Sequence, residues 1–184
     1  MTSYEQNNAA QAPLENYIAS MANGDRSALA ALYNETKTAV YGFALSILKN
    51  TGDAEDVLHD AYVKLYQAAP RYRADGKPMA WILTVTKNLA LSLLRSSAHS
   101  ADVPEDEWQL FYAESPSVTT EDRIVLDAAL LRLGQEERRI VMLHAVSGLK
   151  HCEIAELLSL PLSTVLSKYS RAIKKLQELL KEGE

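Results

Sequence analysis

Apolar residues recur at intervals of three and four along two long blocks of the chain, which is the pattern of amphipathic helices. In the first block, Asp25 is the predicted N-cap of a helix with apolar residues at Leu29, Leu32, Val40, Phe43, Leu45 and Leu48. Thr51-Gly52 ends this pattern, and Asp53 is the predicted N-cap of the next helix. Pro70 stops that helix, whose apolar face carries Val57, Leu58, Ala61, Leu65 and Ala68.

A loop and a third helix complete the first block. Residues 71–77 are predicted to form a loop, because Asp75-Gly76 is a turn-forming pair. Pro78 suits the first position of a helix over residues 78–95. The apolar side of this helix carries Trp81, Ile82, Val85, Leu89 and Leu93. Its register predicts that Trp81 is a core residue rather than a stacking platform for a base.

The second block begins at Thr120 and ends in two helices joined by a tight turn. Its first two predicted helices carry Ile124, Leu126, Leu130 and Leu133, and then Ile140, Val141, Leu143 and Val146, before a stop at Gly148. A short helix follows, with Ile154, Ala155, Leu157 and Leu158. The turn is Ser159-Leu160-Pro161, and the last helix spans about 162–181 with Val165, Tyr169, Ala172 and Leu176 facing inward. This arrangement is typical of a helix-turn-helix.

The segment between the blocks, residues 96–118, lacks the helical pattern and is rich in serine and proline. It contains no Lys or Arg, and its acids are Asp102, Glu105, Asp106, Glu107 and Glu114. An acidic linker is therefore predicted here. An apolar island at 108–112, with three aromatics, is expected to pack on a neighbouring domain; a partner-docking role is the alternative.

The distribution of charge matters more than the net charge of −5. Each helical block is neutral in sum, so the acidic linker carries the whole excess. Residues 162–177 hold four cations and no acid, which favours contact with phosphates. The chain shows no secretion signal or membrane-spanning run, and one cysteine, Cys152, cannot form an internal disulfide. A reducing, cytoplasmic location is expected.

Both blocks resemble the extracytoplasmic-function (group IV) sigma factors of the sigma-70 family. The segments DAEDVLHDAY (53–62), RYR (71–73), AWIL (80–83) and KNLALSLLR (87–95) are similar to sigma region 2. The segment GLKHCEIAELLSLPLSTVLSKYSR (148–171) is similar to region 4. The resemblance implies an all-α fold of two small helical domains: region 2 at 10–97, the acidic linker at 98–119 and region 4 at 120–184.

The resemblance further implies an alternative sigma factor that binds core RNA polymerase and directs promoter-specific initiation. The expected partners are the β′ clamp helices and β flap of polymerase, promoter DNA and an anti-sigma factor, with no direct membrane contact. The predicted polymerase-binding residues are Asp53, Asp56, His59 and Asp60. The predicted −10 contacts are Arg71, Arg73, Asp75, Gly76, Lys77, Lys87 and Asn88. The predicted −35 contacts are Ser163, Thr164, Ser167, Lys168, Arg171, Lys174 and Lys175.

The chain departs from the usual family pattern at several positions. His59 stands where the family has Gln, and Ser159 stands where it has Gly. A left-handed Ser is less favourable than Gly, so a slightly different turn is expected. Residues 164–168 read TVLSK instead of TVKSR, and Arg95 alone remains of the basic end of region 2. We therefore expect weak DNA binding by the isolated chain.

Two other functions fit parts of the sequence. One is a stand-alone helix-turn-helix regulator, which would carry a sensor domain in place of region 2. The other is a sigma-like decoy or adaptor without promoter activity. An enzyme is not expected, because the chain has no phosphate-binding glycine loop and no catalytic-triad motif. His144, His151 and Cys152 lack the spacing of a metal site; no metal or other cofactor is expected.

Overall fold

The computed structural model describes the backbone of residues 3–96 and 129–182, and the side chains of 12–96 and 129–179. Every regular element in these ranges is helical. The chain divides into two compact units, Met1–Asp102 and Val103–Glu184. The predicted all-α fold with two small helical domains is confirmed. The acidic linker, its aromatic island and the start of the second block lie outside the described residues.

The first unit packs four α-helices around one apolar core. They are α1 (Ser3–Ala22), α2 (Arg26–Leu48), α3 (Thr51–Ala68) and α4 (Pro78–Ser96), with a 3-10 turn at Ala69–Arg71. Helices α2, α3 and α4 contact one another pairwise, and α1 packs mainly on α2. The largest fully buried side chains of this unit are Ile18, Leu32, Val40, Phe43, Leu65, Ile82 and Leu83.

Helix α1 was not predicted from the sequence. Its buried residues are Leu14, Ile18 and Met21, which follow one another at intervals of four and three. This short apolar pattern is the signal that would have revealed the helix. The pattern is hard to detect in the sequence because mostly polar residues precede it.

The start of α3 differs from the prediction. The N-cap is Asn50, whose Oδ1 accepts the backbone N–H of Asp53 at 2.9 Å, so Asp53 lies in the first turn. The prediction that Asp53 is the N-cap was therefore wrong. Asn50 is free to take the extended N-cap conformation because Lys49 ends α2 with a left-handed φ of 56°. The predicted N-cap Asp25 of α2 is confirmed.

The buried face of α4 is rotated from the predicted one. Its buried residues are Pro78, Met79, Ile82, Leu83, Thr86 and Ala90. Trp81 is only half-buried, and the centroids of the Trp81 and Tyr72 rings are 4.7 Å apart. Leu89 and Leu93 pack at the edge of the core. The face of α4 that packs against α2 and α3 is therefore shifted by about one residue from the face that the sequence pattern predicted.

The second unit ends in the predicted helix-turn-helix. Its regular helices are α5 (Gln135–Ala145), α6 (His151–Leu158) and α7 (Leu162–Glu182), and residues 129–131 before them are also helical. Leu143, Leu149, Ile154, Val165 and Ala172 are buried between them. Val146, predicted to be apolar core, is instead 38% exposed because it follows the last turn of α5.

The turn between α6 and α7 keeps a left-handed residue without glycine. Ser159 has φ 58° and ψ 40°, and the N–H of Leu160 donates to the carbonyl of Ala155 at 3.0 Å. This bond closes a Schellman-type helix end. A left-handed residue with a Cβ costs about 1 kcal/mol or more relative to Gly.

Candidate nucleic-acid and partner interfaces

A cleft between α3 and α4 gathers most of the predicted polymerase-binding residues. Its volume is about 400 Å³, and it is lined by Asp56, Val57, His59, Asp60, Leu89, Ser92, Leu93 and Ser96. The α3 wall carries two carboxylates and an imidazole, and the α4 wall carries leucines and hydroxyls. A cleft with acidic groups on one wall and leucines on the other suits a partner helix that has apolar and basic side chains.

Of the four residues predicted for this surface, the cleft includes Asp56, His59 and Asp60 but not Asp53. Asp53 is half-buried in the first turn of α3, where its carboxylate lies near the positive end of the helix dipole. The α4 wall was missed by sequence reasoning. Leu89 and Leu93 were predicted to be core residues. Their partial exposure depends on how α4 packs, so it could not be inferred from the sequence.

The loop before α4 is held by a side chain from α1. Glu15 Oε1 accepts the N–H of Gly76 at 2.8 Å and the hydroxyl of Tyr72 at 3.2 Å. Gly76 has φ 77°, which agrees with the predicted turn, and Asp75 Oδ1 accepts the N–H of Lys77 at 3.2 Å. Burial and the charge of Glu15 raise the pKa of Tyr72, so its hydroxyl stays protonated.

This anchoring leaves the cations of the loop on the surface. Arg71, Arg73 and Lys77 are exposed, as is Asn88 farther along α4. Lys87 is half-buried. The structure therefore brings three cations to the loop and the start of α4, while the backbone donor of Gly76 is already used by Glu15. Glu15 was not predicted from the sequence, because its role depends on a contact 61 residues away.

The polar residues predicted on α7 make several contacts inside the protein. Ser167 Oγ donates to the carbonyl of Thr164 at 3.0 Å, and Arg171 Nε donates to the carbonyl of Ser167 at 3.3 Å. Ser163, Ser167, Arg171 and Lys174 are exposed, whereas Thr164 is half-buried. The hydroxyl proton of Ser167 is thus directed at the helix backbone.

Two lysines of α7 form ion pairs with α5. Lys168 Nζ lies 2.7 Å from Glu136 Oε2, and Lys175 Nζ lies 2.8 Å from Glu137 Oε2. Hydrogen bonding to Lys168 lowers the pKa of Glu136, and hydrogen bonding to Lys175 lowers the pKa of Glu137. Glu137 also accepts the N–H of Gly134 at 3.3 Å, at the start of α5. Each pair holds a lysine Nζ beside an α5 carboxylate, although Lys175 remains exposed, so the pairs contribute little to stability.

Two leucines lie beside these polar residues and were not among the predicted contacts. Leu162 is 45% exposed and Leu166 is 46% exposed, although Val165 between them is fully buried. Both stand outside the inward series of α7, and that mismatch in register was a signal available in the sequence. Their exposure makes them part of the surface that the helix-turn-helix presents.

An aromatic cluster joins α5, α6 and α7. The rings of His144 and His151 stack with centroids 4.6 Å apart, and Tyr169 meets both edge-on at 5.1 and 4.5 Å. His144 Nδ1 lies 2.8 Å from the carbonyl oxygen of Leu149. Burial and the neighbouring His144 lower the pKa of His151. Cys152 is exposed on another face of α6, and the described residues contain no cluster of metal-ligating side chains.

Comparisons with known proteins agree with this architecture. Residues 32–100 match the family model of sigma-70 region 2, and residues 123–176 match that of sigma-70 region 4. The ECF RNA polymerase sigma factor SigK of Mycobacterium sp. (strain KMS) is 30% identical, over 91% of this chain and 90% of that protein. SigK of Mycobacterium bovis (strain BCG / Pasteur 1173P2) is 25% identical, over 91% and 93%.

Two solved structures share the fold. CnrH, solved in complex with the cytosolic domain of CnrY, superposes with a TM-score of 0.59 at 22% identity, over 94% of this chain and 99% of that chain. The sigma factor RpoE from Bartonella quintana, solved with the anti-sigma factor NepR, gives 0.53 at 24% identity, over 81% and 94%.

The matched regions and relatives identify the class of the protein. The chain belongs to the extracytoplasmic-function sigma factors of the sigma-70 family. It is an alternative sigma factor that directs transcription initiation. Sigma factors are DNA-binding regulators that act with RNA polymerase, and their function rests on binding surfaces rather than on catalysis.

Proposed function

We propose that the cleft between α3 and α4 docks this chain on core RNA polymerase, that the 71–77 loop and α4 hold melted −10 DNA, and that α7 enters the major groove of the −35 element. The functional domains are region 2 at 10–97, a linker at 98–119 and region 4 at 120–184. The observation that carries the proposal is the cleft, which combines acidic and apolar groups on two adjoining helices.

The docking proposal rests on the acidic groups of one cleft wall and the apolar groups of the other. Asp56 and Asp60 are exposed on the α3 wall, and Leu89 and Leu93 are half-buried on the α4 wall. Exposed carboxylates steer a basic partner helix, while the leucines supply area that leaves water on binding. The β′ clamp helices of polymerase are the proposed partner. Asp53 supports this surface through the first turn of α3 rather than by lining the cleft.

Titration of core RNA polymerase with labelled full-length chain tests the docking surface. Asp56→Asn combined with Asp60→Asn is expected to weaken binding about 5- to 30-fold at low salt, which corresponds to about 1–2 kcal/mol for two exposed charges. Glu35→Gln, an exposed acid on α2 away from the cleft, is the matched control. Equal affinities for the double variant and the control would place the polymerase contact elsewhere.

The DNA proposal rests on the two exposed cationic surfaces. Arg71, Arg73 and Lys77 are exposed cations suited to the phosphates beside unpaired −10 bases, and the exposed Asn88 offers paired donor and acceptor groups to a base edge. On α7, Arg171 and Lys174 are exposed toward solvent and suit phosphates. The proposed −35 set also keeps Ser163, Thr164, Ser167, Lys168 and Lys175, and the proposed −10 set keeps Asp75, Gly76 and Lys87.

In-vitro transcription with core polymerase, the purified chain and a genomic fragment library tests the whole assignment. RNA 5′ ends that require the chain and share two upstream motifs are expected. Binding to core without specific starts would indicate a sigma-like decoy. Sequence-specific duplex binding without binding to core would indicate a stand-alone regulator and would overturn the proposal.

Regulation by an anti-sigma factor is part of the proposal, because the two structural neighbours were solved with the partners CnrY and NepR. The proposed site of action is the cytoplasm, together with polymerase, and the proposed role needs no catalytic group or cofactor. In the part of the chain that the structure describes, no helix is long and apolar enough to cross a membrane. Co-purification of the chain with its polymerase and with a stoichiometric inhibitory protein tests these points.

A further inference from the structure

Helix α7 presents an exposed apolar pair in its first two turns. Leu162 and Leu166 are 45% and 46% exposed, and residues four apart on a helix lie one above the other on the same side. Single exposed leucines are ordinary on protein surfaces. This pair differs because it lies on the helix that the helix-turn-helix presents, next to the exposed Ser163 and Ser167.

The neighbouring polar groups are partly committed to protein contacts. The hydroxyl of Ser167 donates to Thr164, and Lys168 pairs with Glu136 at 2.7 Å. These contacts reduce the capacity of the surface to distinguish bases by hydrogen bonding. The exposed large apolar side chains of these two turns are Leu162 and Leu166.

The surroundings of the leucines favour DNA over an apolar protein segment. Of the four cations in residues 162–177, Lys168 and Lys175 pair with acids of α5, whereas Arg171 and Lys174 are exposed and attract phosphates. In the major groove, the apolar group that a base pair presents is the C5-methyl of thymine. A leucine side chain gains free energy by excluding water from that methyl group.

We propose that Leu162 and Leu166 read thymine methyl groups in the −35 element and are specificity-determining residues. This inference rests on the proposed entry of α7 into the major groove. It requires a T·A or A·T pair at the positions that face the first two turns of α7. Apolar contact by the leucines adds to the hydrogen bonding that Ser163 and Thr164 offer in the same turns.

The test removes the methyl group from DNA and the leucine from protein in turn. Full-length chain with core polymerase initiates at a promoter found by start mapping, on templates with thymine or deoxyuridine at single −35 positions. Loss of one buried methyl group is worth about 0.8 kcal/mol, so transcript yield at subsaturating polymerase is expected to fall about fourfold at a contacted position. L162A and L166A are each expected to abolish that difference at one position.

Leu131→Ala is the matched control, because Leu131 is 42% exposed in the same unit and lies outside α7. This variant should keep the full difference between thymine and deoxyuridine. If no template gives specific starts, the proposed function itself fails. If starts are specific but deoxyuridine has no effect with the unmodified chain, only the leucine inference fails. Equal losses on thymine and deoxyuridine templates in L162A or L166A would assign the pair to a protein contact and overturn it.

Discussion

Replacement of Arg138 by methionine is expected to destabilise the second unit more than any surface change. Arg138 is 2% exposed in α5, and its Nε donates to the carbonyl of Leu130 at 2.8 Å. Its Nη2 donates to the carbonyls of Leu131 and Leu133, both at 3.2 Å. Leu130 and Leu131 belong to the helical residues 129–131 that precede α5, and Leu133 lies in the bend that follows them, so the guanidinium caps the C-terminal end of this turn.

The magnitude follows from these three contacts. A hydrogen bond from a charged donor contributes about 1.5–3 kcal/mol, and the two bonds that share Nη2 count as about one. The gross loss is therefore about 3–6 kcal/mol. Methionine keeps much of the aliphatic packing, and it removes the cost of burying a charge. The net decrease in the free energy of unfolding is expected to be about 2–4 kcal/mol.

Hydrogen–deuterium exchange of the full-length chain, read peptide by peptide, separates the two units. A decrease of 2–4 kcal/mol corresponds to about 30- to 1000-fold faster exchange in peptides from α5–α7. Peptides from α2–α4 should not change. Arg132→Met is the matched control, because Arg132 is exposed. A change below about 0.5 kcal/mol for Arg138→Met, or equal changes in both variants, would refute the capping argument.

Two further predictions concern a buried hydrogen bond in the first unit and a half-buried histidine in the second. In the first unit, Tyr62 and Thr36 share a buried hydrogen bond of 2.7 Å, and Thr36 also donates to a backbone carbonyl. Thr36→Val should lower the free energy of unfolding by about 1–3 kcal/mol, and Tyr62→Phe should lower it by about 1 kcal/mol. In urea unfolding, the double variant should lose less free energy of unfolding than the sum of the losses in the two single variants. Strict additivity of these losses would contradict the hydrogen bond between Tyr62 and Thr36. In the second unit, the lowered pKa of His151 means that the unfolded chain binds a proton at higher pH than the folded chain. Stability should therefore fall as pH drops below about 6.5, and His151→Phe should reduce that slope in urea midpoints measured from pH 7.5 to 5. An unchanged slope would assign the proton uptake to other groups and refute the prediction.

The pattern of apolar residues was sufficient to predict the helices α2 to α7, because each buries one stripe at helical spacing. The helix-turn-helix was also predicted, with its turn at residues 159–161, since short-range signals define its helix ends. The left-handed conformation of Ser159 was not predicted. Local signals failed at Asn50, where two candidate N-caps lie three residues apart and the geometry of the preceding helix end selects between them. The cleft residues Asp56, His59 and Asp60 were predicted by resemblance, not from the pattern of apolar residues.

Tertiary structure decided which faces of these helices are available for function. Glu15 holds the 71–77 loop from α1, and Glu136 draws Lys168 toward α5, yet neither contact has a signal in local sequence. Leu89 becomes a wall of a cleft, and Leu166 becomes part of the outer surface of α7. The sequence specifies the chemical character of each side chain, apolar or charged, but not its surroundings. Whether that side chain faces a core, a neighbouring helix or a partner depends on how the helices rotate to fill a common interior, which is a property of packing between distant segments.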